Sequence, residues 1–308
     1  MKTNYNRTVQ ACFIGYVVQA IVNNFVPLLF LTFQGSYGIS LQKITLLVTF
    51  NFGIQLLVDL ASIGFVDRIG YRASMILAHA MAACRPDFAH SIAGVLGNPF
   101  VGLLIAVMIY AIGGGLLEVL VSPVVEACPT DNKEKAMSLL HSFYCWGHVG
   151  VVLLSTLFFR IFGIANWKYM ALVWALIPIA NGILFTRVPI APLLDEGEKG
   201  LTMGELFKKK IFWVLMLMML CAGASEQAVS QWASTLAEKS FGINKTIGDL
   251  AGPMAFAILM GSSRAFYGKF GDKINLERFM QYSAVLCMVS YLMIAFIPVP
   301  ALGNPWMC

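Results

Sequence analysis

The chain has 308 residues, 58% hydrophobic and only 12% charged, against roughly 25% charged in an ordinary soluble domain. With a mean hydropathy of +0.75 and about 20 apolar residues per membrane crossing, the length is taken up by spans, which excludes a separate soluble catalytic domain. The net charge of +5 arises from lysines and arginines scattered through short loops, so it bears on membrane orientation and not on nucleic acid.

Apolar runs at 8–33, 41–66, 73–95, 101–127, 136–160, 166–187, 211–236, 247–268 and 279–298 predict nine helices of an all-α, polytopic membrane protein. The first run is too long for a signal-peptide core and reads as a span. The third is interrupted by Arg85-Pro86-Asp87, which marks a broken helix or a locally altered sequence. Residues 1–188 read as a six-helix bundle, 189–210 as a polar cytoplasmic linker ending in Lys208 to Lys210, and 211–308 as three helices of a second bundle. With the N-terminus inside, fourteen lysines and arginines fall in cytoplasmic segments and six opposite, which supports an N-terminus on the cytoplasmic side of a cell membrane. The seven cysteines are odd in number and lack any C-x-x-C pair, so neither a disulfide framework nor a metal site is expected.

The chain also repeats itself. Gly64-Phe65-Val66-Asp67-Arg68-Ile69-Gly70-Tyr71-Arg72 follows the second run, and Gly268-Lys269-Phe270-Gly271-Asp272-Lys273 follows the eighth, with the aspartates 205 residues apart. Gly97-Asn98-Pro99-Phe100 opens the fourth run and recurs as Gly303-Asn304-Pro305-Trp306. A duplicated six-helix bundle at that period needs about 400 residues, so three helices are expected to be absent from this sequence; parallel repeats of this kind signal a two-bundle secondary transporter.

Several polar residues sit inside the apolar runs. Glu118 lies in the middle of Gly113-Gly114-Gly115-Leu116-Leu117-Glu118-Val119-Leu120-Val121-Ser122-Pro123. An intramembrane acid costs roughly 3 kcal/mol on insertion scales and so demands either a function or a structural partner. A carboxylate withdrawn from water binds a proton more readily, and once neutral it can pass through an occluded state. The seventh run carries Glu226, Gln227, Ser230, Gln231 and Ser234, a polar stripe at helical spacing bordered by Trp232. His141, Tyr144 and His148 share a face of the fifth, offering donors, acceptors and aromatic surface to a polar, neutral solute or else serving helix packing. Asn23 and Asn24 beside Pro27 read as lining and kink. Asp59 and Arg264, 205 residues apart and opposite in charge, read as structural or gating residues, with Glu126 the expected neutralising partner of Arg264.

The acidic, glycine-bearing loop and its repeat resemble the signature loop of the major facilitator superfamily. The closer resemblance is to the fucose permease branch of proton-linked sugar symporters, whose glycine-rich turn, proton-carrying glutamate and following proline match Gly115, Glu118 and Pro123. Asn23 stands where that branch has a coupling aspartate, four residues before a proline, and His141 and Tyr144 match sugar-contacting positions. The resemblance implies alternating access, Glu118 as proton carrier, no cofactor beyond the proton gradient, and Asn23, Asn24, His141, Tyr144, Gln227, Gln231 and Trp232 around the solute. It also implies gating roles for Asp67, Arg68, Arg72, Asp272 and Lys273. Because Glu226 lies at nearly the depth of Asn23 in the equivalent helix, it is the candidate second acid, the alternative being a passive, wetted residue. The expected partners are the lipid bilayer, protons and a sugar or similar solute, taken up by a monomer. An exporter of amphipathic compounds and a non-transporting fragment remain the alternatives. An enzyme is disfavoured, since H-E-x-x-H, G-x-S-x-G and a phosphate loop are all missing from the sequence.

Overall fold

The computed structural model describes residues 5–84, 98–129, 133–192, 203–270 and 275–296, and among them all regular structure is helical. The first half runs through α1 (Asn6–Asn24), a 3-10 turn (Val26–Leu29), α2 (Phe30–Tyr37), α3 (Leu41–Ile69), α4 (Tyr71–Ala82), α5 (Pro99–Ala127), α6 (Lys133–Phe162) and α7 (Trp167–Phe185). The second holds α8 (Met203–Phe207), α9 (Lys210–Phe241), α10 (Lys245–Asp249), a π-helical turn (Leu250–Met254), α11 (Ala255–Phe270) and α12 (Leu276–Phe296). Among the described residues, six stretches are long and apolar enough to cross a membrane, α1 and α2 together forming the first. The interruption at Arg85-Pro86-Asp87 and the second Gly-Asn-Pro copy lie outside the described residues.

Local chemistry explains where these helices break and begin. Pro27 has no N–H for the Asn23 carbonyl four residues back, so α1 ends at Asn24 and the span continues as a tighter turn before α2. At the start of α5, the Asn98 side chain accepts from the Phe100 N–H at 3.0 Å, with Pro99 in the first turn. The Gly-Asn-Pro motif is therefore a helix start, a side-chain cap followed by a residue with no amide to satisfy. In α11's lead-in, Pro253 cannot donate to the Asp249 carbonyl, and the chain makes a π-helical turn there instead of a continuous helix.

Helix α5 lies at the centre of the first half, and three glycines put it there. A Cβ on Gly113 would collide with the backbone of Ala78 and Ala82 in α4, one on Gly114 would come within 2.9 Å of Val22 in α1, and one on Gly115 within 3.0 Å of the Gln55 Cα in α3. Successive glycines thus bring three helices onto α5 at one level, just one turn before Glu118. Two buried apolar clusters flank that level, one containing Ile21, Phe25, Phe33, Val107 and Trp174, the other Cys12, Met75, Leu117, Leu120 and Phe185.

A few side chains in the packed region tie distant helices together. His79 gives its Nδ1–H to the Met75 carbonyl at 2.7 Å, which leaves Nε2 to accept from Asn181 Nδ2 at 2.8 Å. Asn181 also donates to the Ala11 carbonyl at 3.0 Å, tying α1, α4 and α7 together. Arg72 donates from Nη1 to the Phe185 and Thr186 carbonyls, capping the end of α7, a structural role for this loop arginine.

The bundle has a near face, carrying the start of α1 and the α3–α4 turn, and a far face, carrying the ends of α2, α6 and α9. At the far end, α9 buries Ser230, Gln231, Ser234 and Thr235. At the near end the same helix is open, Ile211, Leu215, Met219 and Leu220 being 53–73% exposed. Helix α9 therefore touches the first half through its far portion and stands away from it at the near face.

Candidate functional site

The space left between the halves is a cavity of about 520 Å³, lined by Tyr16, Gln19 and Asn23 of α1, Phe52 and Gln55 of α3, and Glu118 of α5. His141 and Tyr144 of α6, Met219, Leu220, Gly223, Ala224, Glu226 and Gln227 of α9, and Arg264 of α11 complete it. This volume falls within the range of small-molecule sites, and the wall mixes apolar surface with a few convergent polar groups.

Glu118 presents its carboxylate to the cavity, where it is exposed despite lying at the centre of an apolar helix. Gln19 Nε2 donates to Glu118 Oε2 at 3.1 Å, and Asp59 and Glu226 lie within electrostatic reach. One turn on, Ser122 shares a 2.7 Å hydrogen bond with the Tyr16 hydroxyl, which fixes the Tyr16 ring against His141, centroids 5.3 Å apart. At the floor, Gln55 Nε2 donates to Asn23 Oδ1 at 3.0 Å. Gln231 Nε2 donates to the Asn23 main-chain carbonyl at 2.9 Å, the group that Pro27 cannot serve. A helix break in one half is thereby completed by a side chain of the other.

Of the residues expected around the solute, Asn23, His141, Tyr144 and Gln227 stand on the wall with Glu118 and Glu226. Asn24, Gln231 and Trp232 do not. Asn24 donates to the Ala20 carbonyl at 2.9 Å and reaches the Tyr144 hydroxyl at 3.5 Å from behind. Trp232 packs on Phe30 beyond the floor, ring centroids 5.4 Å apart. A stripe at helical spacing covers more than one level of a helix, and here its far end is used for packing between the halves. His148, 1% exposed and facing Phe256, belongs to the α6–α11 contact, and Trp146, 50% exposed, has its ring beside Gly261 of α11 and off the cavity wall.

The expected pairing of Arg264 with Glu126 is also replaced. Arg264 lines the cavity, its charge felt by Glu226 and His141, while Glu126 is exposed near the end of α5. The cause is the close approach of α11 to α6, where a Cβ on Gly261 would lie 3.1 Å from the Cys145 Cβ; one turn later the arginine faces inward. Asp59 sits one turn beyond Gln55, with Oδ1 buried and without a partner among the described residues. Asp67 and Arg68 fall in the last turn of α3, and Asp272 and Lys273 lie outside the described residues. Sequence reading passed over Tyr16, Gln19 and Gln55. Tyr16, Gln19 and Asn23 follow each other at i, i+3 and i+7 in an otherwise apolar run, which was the available signal.

Comparison with known proteins agrees with this architecture. The model of the family described as Major Facilitator Superfamily matches residues 12–308. No curated protein matches the chain significantly. Among solved structures, a D-xylose-proton symporter is similar with a TM-score of 0.65 at 16% identity, over 87% of this chain and 69% of that one. The POT family transporter PepTSo aligns with a TM-score of 0.46 at 14% identity, over 86% of this chain and 55% of that one.

Proposed function

The chain belongs to the major facilitator superfamily, whose members are multi-pass secondary transporters and not enzymes, and from that premise we propose that it carries a sugar or similar small polar solute together with protons. The observation that carries this reading is Glu118, an ionisable group on the wall of a cavity otherwise built inside apolar helices, held by Gln19. Solute entering the cavity meets donors and acceptors on Tyr16, Gln19, Asn23, Gln55, His141, Tyr144 and Gln227. Such a wall suits a hydroxyl-rich molecule better than an amphipathic drug, because each of these groups left unpaired by an apolar ligand costs about 1–3 kcal/mol.

The carrier step follows from charge. Glu118 is open to the near face when the far face is shut, and it can load or release a proton there. Moving one charge across 100 mV is worth roughly 2.3 kcal/mol, so a neutral, protonated Glu118 lets the solute site change sides without carrying an ionised group through the closed state. Glu226, across the cavity, is the second acid in this scheme, standing in for the carboxylate that Asn23 lacks. The near face is cytoplasmic in this reading, as the distribution of lysines and arginines favours.

The reading is tested by reconstituting the chain in liposomes and recording proton movement when D-xylose, L-fucose and other neutral monosaccharides are added in turn. Alkalinisation of the side to which the effective sugar is added is the expected result. Solute flux without proton movement points to facilitated diffusion, and flux of amphipathic dyes but not sugars points to an exporter. No flux of any kind is the outcome for a non-transporting chain.

A further inference from the structure

The far portions of the two halves are joined by groups that take no part in the cavity wall. Asp249 closes α10 at the joint formed by the π-helical turn and is 1% exposed. Its carboxylate accepts from the Ser234 hydroxyl of α9, from Lys245 Nζ at 3.3 Å and from Thr156 Oγ1 of α6 at 3.3 Å. Ser234 and Lys245 belong to its own half, and Thr156 belongs to the other. A buried carboxylate is stable only while its donors stay in place, and a hydrogen bond to a charged acceptor is stronger than one between neutral groups. The same layer contains the Gln231 bond to the Asn23 carbonyl and the Phe30–Trp232 contact. Parting α1, α2 and α6 from α9 and α10 breaks all three, and the Asp249 contact is the one that leaves an ion short of a partner.

We propose that Asp249 is the far-face latch: its bond to Thr156 holds the state whose cavity opens only to the near face, and breaking it is a required step in opening the opposite side. The proposal rests on the alternating-access reading above, but its test needs neither a solute nor a proton gradient.

Hydrogen–deuterium exchange of the whole chain in lipid nanodiscs provides that test, with Thr156→Val and Asp249→Asn, each close in size to the native residue, and Thr156→Ser as the variant that keeps the hydroxyl. In both disruptive variants, amides at 151–160 and 230–256 are expected to exchange roughly tenfold faster, the loss of one charge-assisted hydrogen bond, while those at 210–224 slow as the near face closes. Thr156→Ser is expected to match the unmodified chain. Opposite changes at the two faces separate a shifted equilibrium from general loosening. Faster exchange at both faces, unchanged exchange at the far face, or a Thr156→Ser variant that behaves like Thr156→Val overturns the latch.

Discussion

Gln19 uses only half of its amide. Nε2 donates to Glu118, and Oε1 is buried with no partner among the described residues. An ionised Glu118 needs the amide hydrogen, whereas a protonated one can give its own hydrogen to the amide oxygen once the group turns over, so a glutamine serves both states of a proton carrier. Gln19→Leu removes both options and is expected to lower initial sugar-driven proton uptake about tenfold, the worth of one hydrogen bond to a charged group. An unchanged initial rate would make Gln19 a bystander. Gln231→Leu acts differently, since it strands the Asn23 carbonyl beside Pro27; its expected cost of about 1–3 kcal/mol is read as a lower melting temperature in detergent. Glu118 was legible from sequence because a single acid in an apolar run has to be accounted for. Tyr16, Gln19 and Gln55 were not, because a neutral polar residue in a span gains its meaning from neighbours on other helices. Arg264 failed for a related reason. The direction it faces is set by how α11 rests on α6.

Individual helices were placed well by hydrophobic run length, and their departures from regularity follow from proline and glycine. Pro27 breaks the first span as its position beside Asn23 and Asn24 suggested. The π-helical turn at Leu250–Met254 was hidden within what reads as one continuous apolar run at 247–268. In α5, the glycine triplet has a role that periodicity alone could not assign, because the helices it touches, α1, α3 and α4, are distant in sequence. Gly114→Leu is expected to destabilise the fold by about 3 kcal/mol or more through overpacking against Val22 and Gln55. Gly150→Ala, in open space on α6, is the matched control and is expected to stabilise by up to about 1 kcal/mol through helix propensity. Thermal melting followed by circular dichroism distinguishes them, and equal melting temperatures for the two variants would remove the packing argument for Glu118's placement.

For the molecule as a whole, the near and far faces are built from different chemistry. The far face joins the halves through buried polar contacts at Gln231 and Asp249 and an aromatic contact at Trp232, while the near face leaves α9 apart from the first half and the cavity open. The internal repeat led to the expectation of two related halves with a site between them. It could not foretell which face would be closed, because that depends on contacts between helices that the repeat treats as equivalent. In the proposed cycle Glu118 carries the proton, and the most direct measurement of that role is sugar transport by Glu118→Gln in proteoliposomes, in two modes. The variant is expected to retain sugar exchange between equal internal and external pools, since a glutamine mimics the protonated, neutral carrier, and to lose sugar-driven proton uptake. Proton uptake at the unmodified protein's ratio to sugar would contradict the assignment.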